Sequence, residues 1–327
     1  MKTRLVKMLC CTVAVFLLSL SAVTAYATQE TTIGDLEDLV VDYTEEYHPL
    51  VEYGSPEYAD FLMEQLVGDT EAEFEKLDNY ADVVLYATEY IYQRNNAPLS
   101  SFDADGTFIL PESVRSLTPD ELRDIADEDI AQDERLYQLA SARNSVSQLS
   151  VNYDAEAAVE YAVKWAKTRN DAYNDFSLRG GDCTNFTSQA LVAGGIDMNI
   201  PSPRPAGTSS STDYWYSVKY YYPGAIAPSY DVSSSFIGVE DFYDYMVNNA
   251  GASSQTVYSV ESLQENAQLG DVVQLRDSGG HYYHNIIIAG EDEDGWTYCA
   301  HSRDTRDETI WYLDSSDNSA YRILSFN

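Results

Sequence analysis

The sequence predicts an α+β protein: a mainly α-helical amino-terminal region, then a domain in which helices precede an antiparallel sheet. Three observations carry that reading. Residues 32–96 repeat apolar side chains at helical spacing, residues 154–195 hold two further helical stretches, and between 271 and 313 short apolar runs follow one another between turn residues.

Each element has its own signal. Leu36, Leu39 and Val40 fall at i, i+3 and i+4, Phe61, Leu62 and Leu66 repeat the stripe, and Val83, Val84, Ala87, Tyr90 and Ile91 make a third. These are amphipathic helices with acidic outer faces. A break at 95–111 contains Pro98 and Gly106. Thr118-Pro119-Asp120-Glu121 then has the pattern of a capping box, opening a helix to about Ser145. Residues 144–152 are polar and read as a junction. Because every helix has its own apolar stripe, 28–150 is expected to be an independent domain, with a cover over the catalytic cleft as the alternative. After it, 154–170 forms a helix with Ala158, Tyr161, Ala162 and Trp165 on one face. Gly180-Gly181 turns the chain into a second helix, capped by Asp182, burying Phe186, Ala190 and Ala193, and ended by Gly194-Gly195. Strands are expected at 271–275, 284–289, 296–301 and 309–313.

The first 27 residues read as a secretory signal peptide. Lys2, Arg4 and Lys7 precede an uncharged stretch that ends in Ala25-Tyr26-Ala27, a small-x-small cleavage pattern. The stretch approaches the ~20 residues that span a bilayer, so the rival reading is an uncleaved anchor retaining the protein at the cell envelope. No basic stop-transfer cluster follows Ala27, which favours cleavage, secretion and no stable membrane association afterwards.

Charge excludes one class of partner. The chain has 19 Lys and Arg against 54 Asp and Glu, a net charge of −35. Residues 28–150 hold 29 acids and 6 bases, and 151–327 hold 25 and 10. Such a surface repels nucleic acid and anionic headgroups and keeps an exported protein soluble.

Of four cysteines, Cys10 and Cys11 leave with the signal peptide, and Cys183 and Cys299 remain. A pair in an oxidising compartment invites a disulfide, although a chain of this size does not need one. Cys183 has a second reading. It stands in the first turn of a helix, where the positive end of the dipole favours a thiolate and free N–H groups can act as an oxyanion hole. His284 enters a core strand and can serve as its base, while His301, ending the next strand, can hold the second imidazole nitrogen. Thr297, Cys299 and His301 share a face by strand alternation. His281 is a rival base in a glycine-rich loop, Asp304 or Asn185 are rival orienting groups, and Trp215 either lines the cleft or fills the core. No HExxH, CxxC or His-x-His spacing occurs, and the acidic run 291–294 reads as a solvated hairpin tip. No metal or other cofactor is assigned.

Tyr153 to Gly195, with Trp165, Asn170 and the core GGDCTNFTSQALVAGG, resembles amidase family six. Trp215, Phe242-Tyr243, Gly270-Asp271-Val272-Val273 and the His284 and His301 strands continue the likeness, over about 151–327. That family is similar to the NlpC-like and CHAP peptidases, so the resemblance implies a papain-like (NlpC-like) cysteine hydrolase domain. It places the nucleophile on Cys183, the base on His284 and the third polar member on His301. Asp182, Asn185 and Trp215 are the candidate substrate-binding and oxyanion residues. The expected function is a secreted cysteine-dependent amidase acting on a peptide or cell-wall amide. The alternative is a non-catalytic extracellular binding or adhesion module that keeps the fold. Residues 28–150 resemble no family, and the sequence leaves the oligomeric state open.

Overall fold

The computed structural model describes residues 30–67, 70–97, 99–125, 153–178, 182–221, 227–314 and 318–326. The leader at 1–27, the junction at 144–152 and the Gly180-Gly181 turn lie outside them. Helices α1 (Ile33–Tyr47), α2 (Pro56–Val67) and α3 (Tyr80–Asn96) bear the three apolar stripes, and a short α4 (Glu112–Arg115) follows. The capping box expected at Thr118 is formed: its N–H donates to Glu121 Oε2 at 2.9 Å and its Oγ1 accepts the Glu121 N–H at 3.2 Å. Residues 119–125 continue as helix.

In the second half, α5 (Ala155–Trp165) begins where Asp154 accepts the Ala157 N–H at 3.0 Å. Helix α6 (Asp182–Ala193) ends at the glycine pair, Gly195 taking φ +93°, which a side chain disfavours. A small sheet of β1 (Thr208–Ser209), β2 (Ser217–Tyr220) and β3 (Ser229–Ser233) leads into α7 (Ser234–Ile237) and α8 (Val239–Asn248). The main sheet comprises β4 (Ser253–Val257), β5 (Val272–Arg276), β6 (Tyr282–Asp292), β7 (Gly295–Ala300), β8 (Thr305–Thr309) and β9 (Ala320–Ser325), with α9 (Val260–Asn266) after β4. Its order is β4-β9-β5-β6-β7-β8 and every pairing is antiparallel. The α+β class therefore stands. The strand expected at 309–313 does not form. Residues 310–314 make a 3₁₀ turn that buries Ile310 and Leu313, and the strand precedes it as β8.

The sheet is covered on both faces. On one, Ile287, Ala289 and Cys299 pack against Ala158, Ala162, Phe186 and Ala190 of α5 and α6. On the other, Leu275, Tyr283, Ile286, Ile288 and Ile323 share a single core with Val40, Leu62, Leu85 and Ile91 of α1–α3. Polar ties cross that boundary: Asn95 donates to the Tyr283 carbonyl at 2.8 Å, and Arg303 pairs with Glu64 at 2.6 Å. The expected independent helical domain is thus corrected, because residues 32–327 form one compact unit. A strand buried on both faces needs apolar cover on each, and the amino-terminal stripes supply the second. Among the described residues no helix is long and apolar enough to cross a membrane.

Candidate active site

The site is built where the start of α6 meets β6 and the end of β7. Cys183 is wholly buried in the first turn of α6, beside Val239 and Tyr282. Its sulfur lies 3.8 Å from Thr184 Oγ1, and the nearby Asn285 backbone N–H favours the thiolate. Burial pushes the thiol pKa up, and the Asn285 and Thr184 contacts only partly offset it. Cys183 and Cys299 are both free, so the disulfide reading fails. Burial also pushes Cys299 up, to about 11, marking an inert thiol.

Asp182 does not cap α6. It is the first residue of the helix and the centre of a buried polar cluster. One carboxylate oxygen meets His301 Nδ1 at 2.7 Å and Arg169 Nε at 2.9 Å. The other accepts the Asn185 side-chain amide at 2.6 Å and the Phe176 N–H at 3.3 Å. The His301 Nε2 lies 3.0 Å from the Trp165 carbonyl and its ring stacks on Phe186, 4.0 Å between centroids. His301 thus fixes Asp182 and the entry to α6, and does not bond His284. Asn185 is buried and also donates to the Asn174 carbonyl, so it braces this cluster instead of facing a cleft. Trp215 is fully buried, donates to Ser188 Oγ at 3.1 Å and packs on Phe236 and Tyr245, which makes it a core residue.

His284 sits on β6 one residue before Asn285. Asn285 and Ile287 point to α6, Asn285 through a 3.1 Å bond to Thr184 Oγ1. Strand alternation therefore puts the His284 ring with Ile286 and Ile288, on the face covered by the amino-terminal helices. No hydrogen bond joins it to Cys183 or His301 among the described residues. Its Nδ1 is buried without a partner, and burial, reinforced by the charge of Arg303, lowers its pKa to about 3. The ring is neutral.

His281 is far better held than its glycine-rich loop suggests. Its Nδ1 meets Glu89 Oε2 of α3 at 2.7 Å, its N–H donates to Asp277 at 2.8 Å, and its ring stacks on Tyr92. Burial opposes its charge, but the Glu89 hydrogen bond and the charges of Glu89 and Asp277 prevail and raise its pKa to about 9. Glu89, Asp277 and His281 bring ligand atoms within 4.8 Å of one another, a set that could hold a cation, although Glu89 and His281 already satisfy each other. Sequence reasoning missed the group because Glu89 lies 192 residues from His281.

The chain matches the family described as "Putative amidase domain" over residues 152–324. It belongs to that amidase family. The amidase region contains Cys183, His284 and His301, and the match ends within β9. A curated relative, the uncharacterized protein YhbB of Bacillus subtilis (strain 168), is 30% identical over 171 residues, 52% of this chain and 47% of the relative. The chain thus spans about half the length of that relative. No solved structure matches. Family membership gives the region a general amidase role, and a helix bearing Cys183 against an antiparallel sheet is consistent with the papain-like arrangement.

Proposed function

We propose that the protein is a secreted cysteine-dependent amidase that hydrolyses an amide bond in peptides, with bacterial cell-wall stem peptides as the substrate class. Cys183 is the nucleophile and His284 the base. One observation carries this reading: Cys183 lies in the first turn of α6, whose Thr184 is bonded by Asn285 of β6, while the adjacent His284 keeps a buried Nδ1 with no partner among the described residues. A buried polar atom left unsatisfied calls for a reason, and general-base work on a thiol carried by the facing helix would supply one once the ring turns to that side of β6. In turnover the imidazole accepts the thiol proton, the sulfur attacks the carbonyl carbon, and the proton passes to the leaving amine. Water then cleaves the thioester, releasing the acid and the free thiol. Helix N–H groups at the start of α6 stabilise the oxyanion. On this reading His284 moves from the α3 side to the α6 side of β6 before it reaches the sulfur.

The test is release of free amine from peptide amides and cell-wall fragments. Cys183→Ala and His284→Ala are each expected to abolish it, since nucleophile and base act as a unit. Turnover retained in Cys183→Ala would assign the chemistry elsewhere, and a dead His281→Ala beside an active His284→Ala would move the base.

The complete burial of Cys183 and its raised pKa favour a second reading, a non-catalytic binding or adhesion module. Iodoacetamide at pH 6.5 separates the two. A resting enzyme labels Cys183 faster when a peptide amide is present, whereas a module labels more slowly than a model thiol with or without peptide.

A further inference from the structure

A cavity of about 250 Å³ lies between α2 and α3 on one side and the segments around Arg169, Ser177 and 302–304 on the other. Met63 and Ile91 make its apolar wall, and Asp60 stands exposed at its rim. The polar residue that decides its chemistry is Arg94. That side chain is only 4% exposed, yet no carboxylate of the described residues is within ion-pairing distance. Of its five N–H donors, one bonds among the described residues, Nη2 to the Ser177 carbonyl at 3.3 Å, and Nε is buried without a partner there. The neighbouring arginines differ: Arg169 is paired with Asp182 and Asp304, and Arg303 with Glu64 and Glu308. In a chain of net charge −35, a buried guanidinium that Asp60 reaches only through its charge and Phe102 only with its ring, 5.7 Å away, is conspicuous. Ser302 Oγ is also buried and unpartnered, and Ser302 and Asp304 hold φ of +80° and +36°. Non-glycine backbone held in this region is strained and gathers at ligand sites.

We infer that this cavity binds a small zwitterion, an amino acid or dipeptide whose α-carboxylate pairs with Arg94 and whose ammonium faces Asp60. The volume is below the ~300–1,000 Å³ of drug-sized sites, which sets the ligand's size. The acidic rim and the chain's charge repel a polyanion such as a nucleotide, whereas a zwitterion carries no net charge. The site requires both halves of the chain, since Arg94 and Asp60 come from the helices and Ser302 from the loop after β7. It stands whether or not Cys183 is a nucleophile.

The test uses the full chain carrying Cys183→Ala, so that any hydrolysis through that thiol is removed. Titration by calorimetry compares L-alanyl-L-alanine, its N-acetylated amide and inorganic phosphate. Saturable binding of the free dipeptide is expected, with the blocked peptide and phosphate at least about tenfold weaker. Arg94→Met should weaken the dipeptide about 10- to 100-fold, the loss of charge-assisted hydrogen bonds. Asp60→Asn, which removes the charge and keeps the shape, should weaken it by up to about fivefold. Equal binding of the blocked dipeptide, preference for phosphate, or no saturable binding of the free dipeptide would each overturn the assignment. If Arg94→Met does not fold, the blocked-peptide comparison and Asp60→Asn decide.

Discussion

His284 gives the molecule an acid-sensitive residue. Its folded pKa, about 3, lies below the unfolded value of about 6.5. The unfolded chain therefore takes up the proton first, and the stability held above pH 6.5 is lost as pH falls toward 3. Between pH 7 and 4.5 this should cost on the order of 3 kcal/mol. Denaturant unfolding at the two pH values checks it: His284→Gln should lose less, and an equal loss would mean the ring is not buried neutral. His281 acts on the other limb. With its pKa raised to about 9, its contribution is complete below pH 6.5 and disappears as pH rises through 9, so Glu89→Gln should flatten the alkaline limb. His301→Ala is expected to cost about 1–3 kcal/mol, since the buried Asp182 carboxylate loses one hydrogen bond and keeps Arg169 and Asn185. Cys183 was readable from the sequence because a residue after a glycine pair and before an apolar helix has only one place to sit. The Asp182–His301 pair was not, since its members lie 119 residues apart and local pattern says nothing about which strand end returns to which helix.

Among the elements, the period of 3.6 made α1–α3, α5 and α6 legible, and continuous apolar runs did the same for β5 and β6. Strand β9 escaped because Arg322 interrupts it. That guanidinium is buried, 3.7 Å from the Tyr243 ring centroid and 3.5 Å from that of Tyr282, and bonded to Gln274, so a charge that argues against a core strand is satisfied inside it. The 310–314 turn misled for the opposite reason, since Ile310 and Leu313 are apolar at a spacing of three, which a 3₁₀ turn buries as well as a strand does. The junction of α5 with the sheet offers a sharp test. Gly270 has φ +84°, and an added Cβ would lie 2.8 Å from both the Ala155 Cβ and the Tyr153 hydroxyl, whose own bond to the Gly270 carbonyl is 2.7 Å. Gly270→Ala should therefore destabilise by about 1–3 kcal/mol. A midpoint shift in urea unfolding would record it, and an unchanged midpoint would mean that α5 slides at no cost.

At the scale of the whole molecule, the amino-terminal helices are structural. Cutting at Val151 would bare the face of the sheet formed by Leu275, Tyr283, Ile286, Ile288 and Ile323. Each such side chain left in water forfeits about 1.5–3 kcal/mol, and a bared apolar face of that extent promotes association. A fragment from Val151 to Asn327 is therefore expected to be insoluble or to lack a cooperative transition by circular dichroism, and residues 28–150 supplied in trans should rescue it. A soluble, cooperatively unfolding fragment would show that the sheet closes without its second cover. The separate stripes were legible, but their destination was not, because an apolar stripe fits a sheet as well as another helix.

Strand β9, formed by residues 320–325, lies between β4 and β5 and carries Ile323 into the core of α1–α3. During synthesis, then, the helices made first wait for a strand made about two hundred residues later, which at ~5–20 residues per second is at least ten seconds. Through that interval their apolar stripes can meet one another, β5 and β6, but not the last strand of their shared core. The sheet closes only once residue 325 has emerged, and a chain stopped just short of Ala320 would retain every residue of the Cys183 site while leaving a gap in the middle of its sheet.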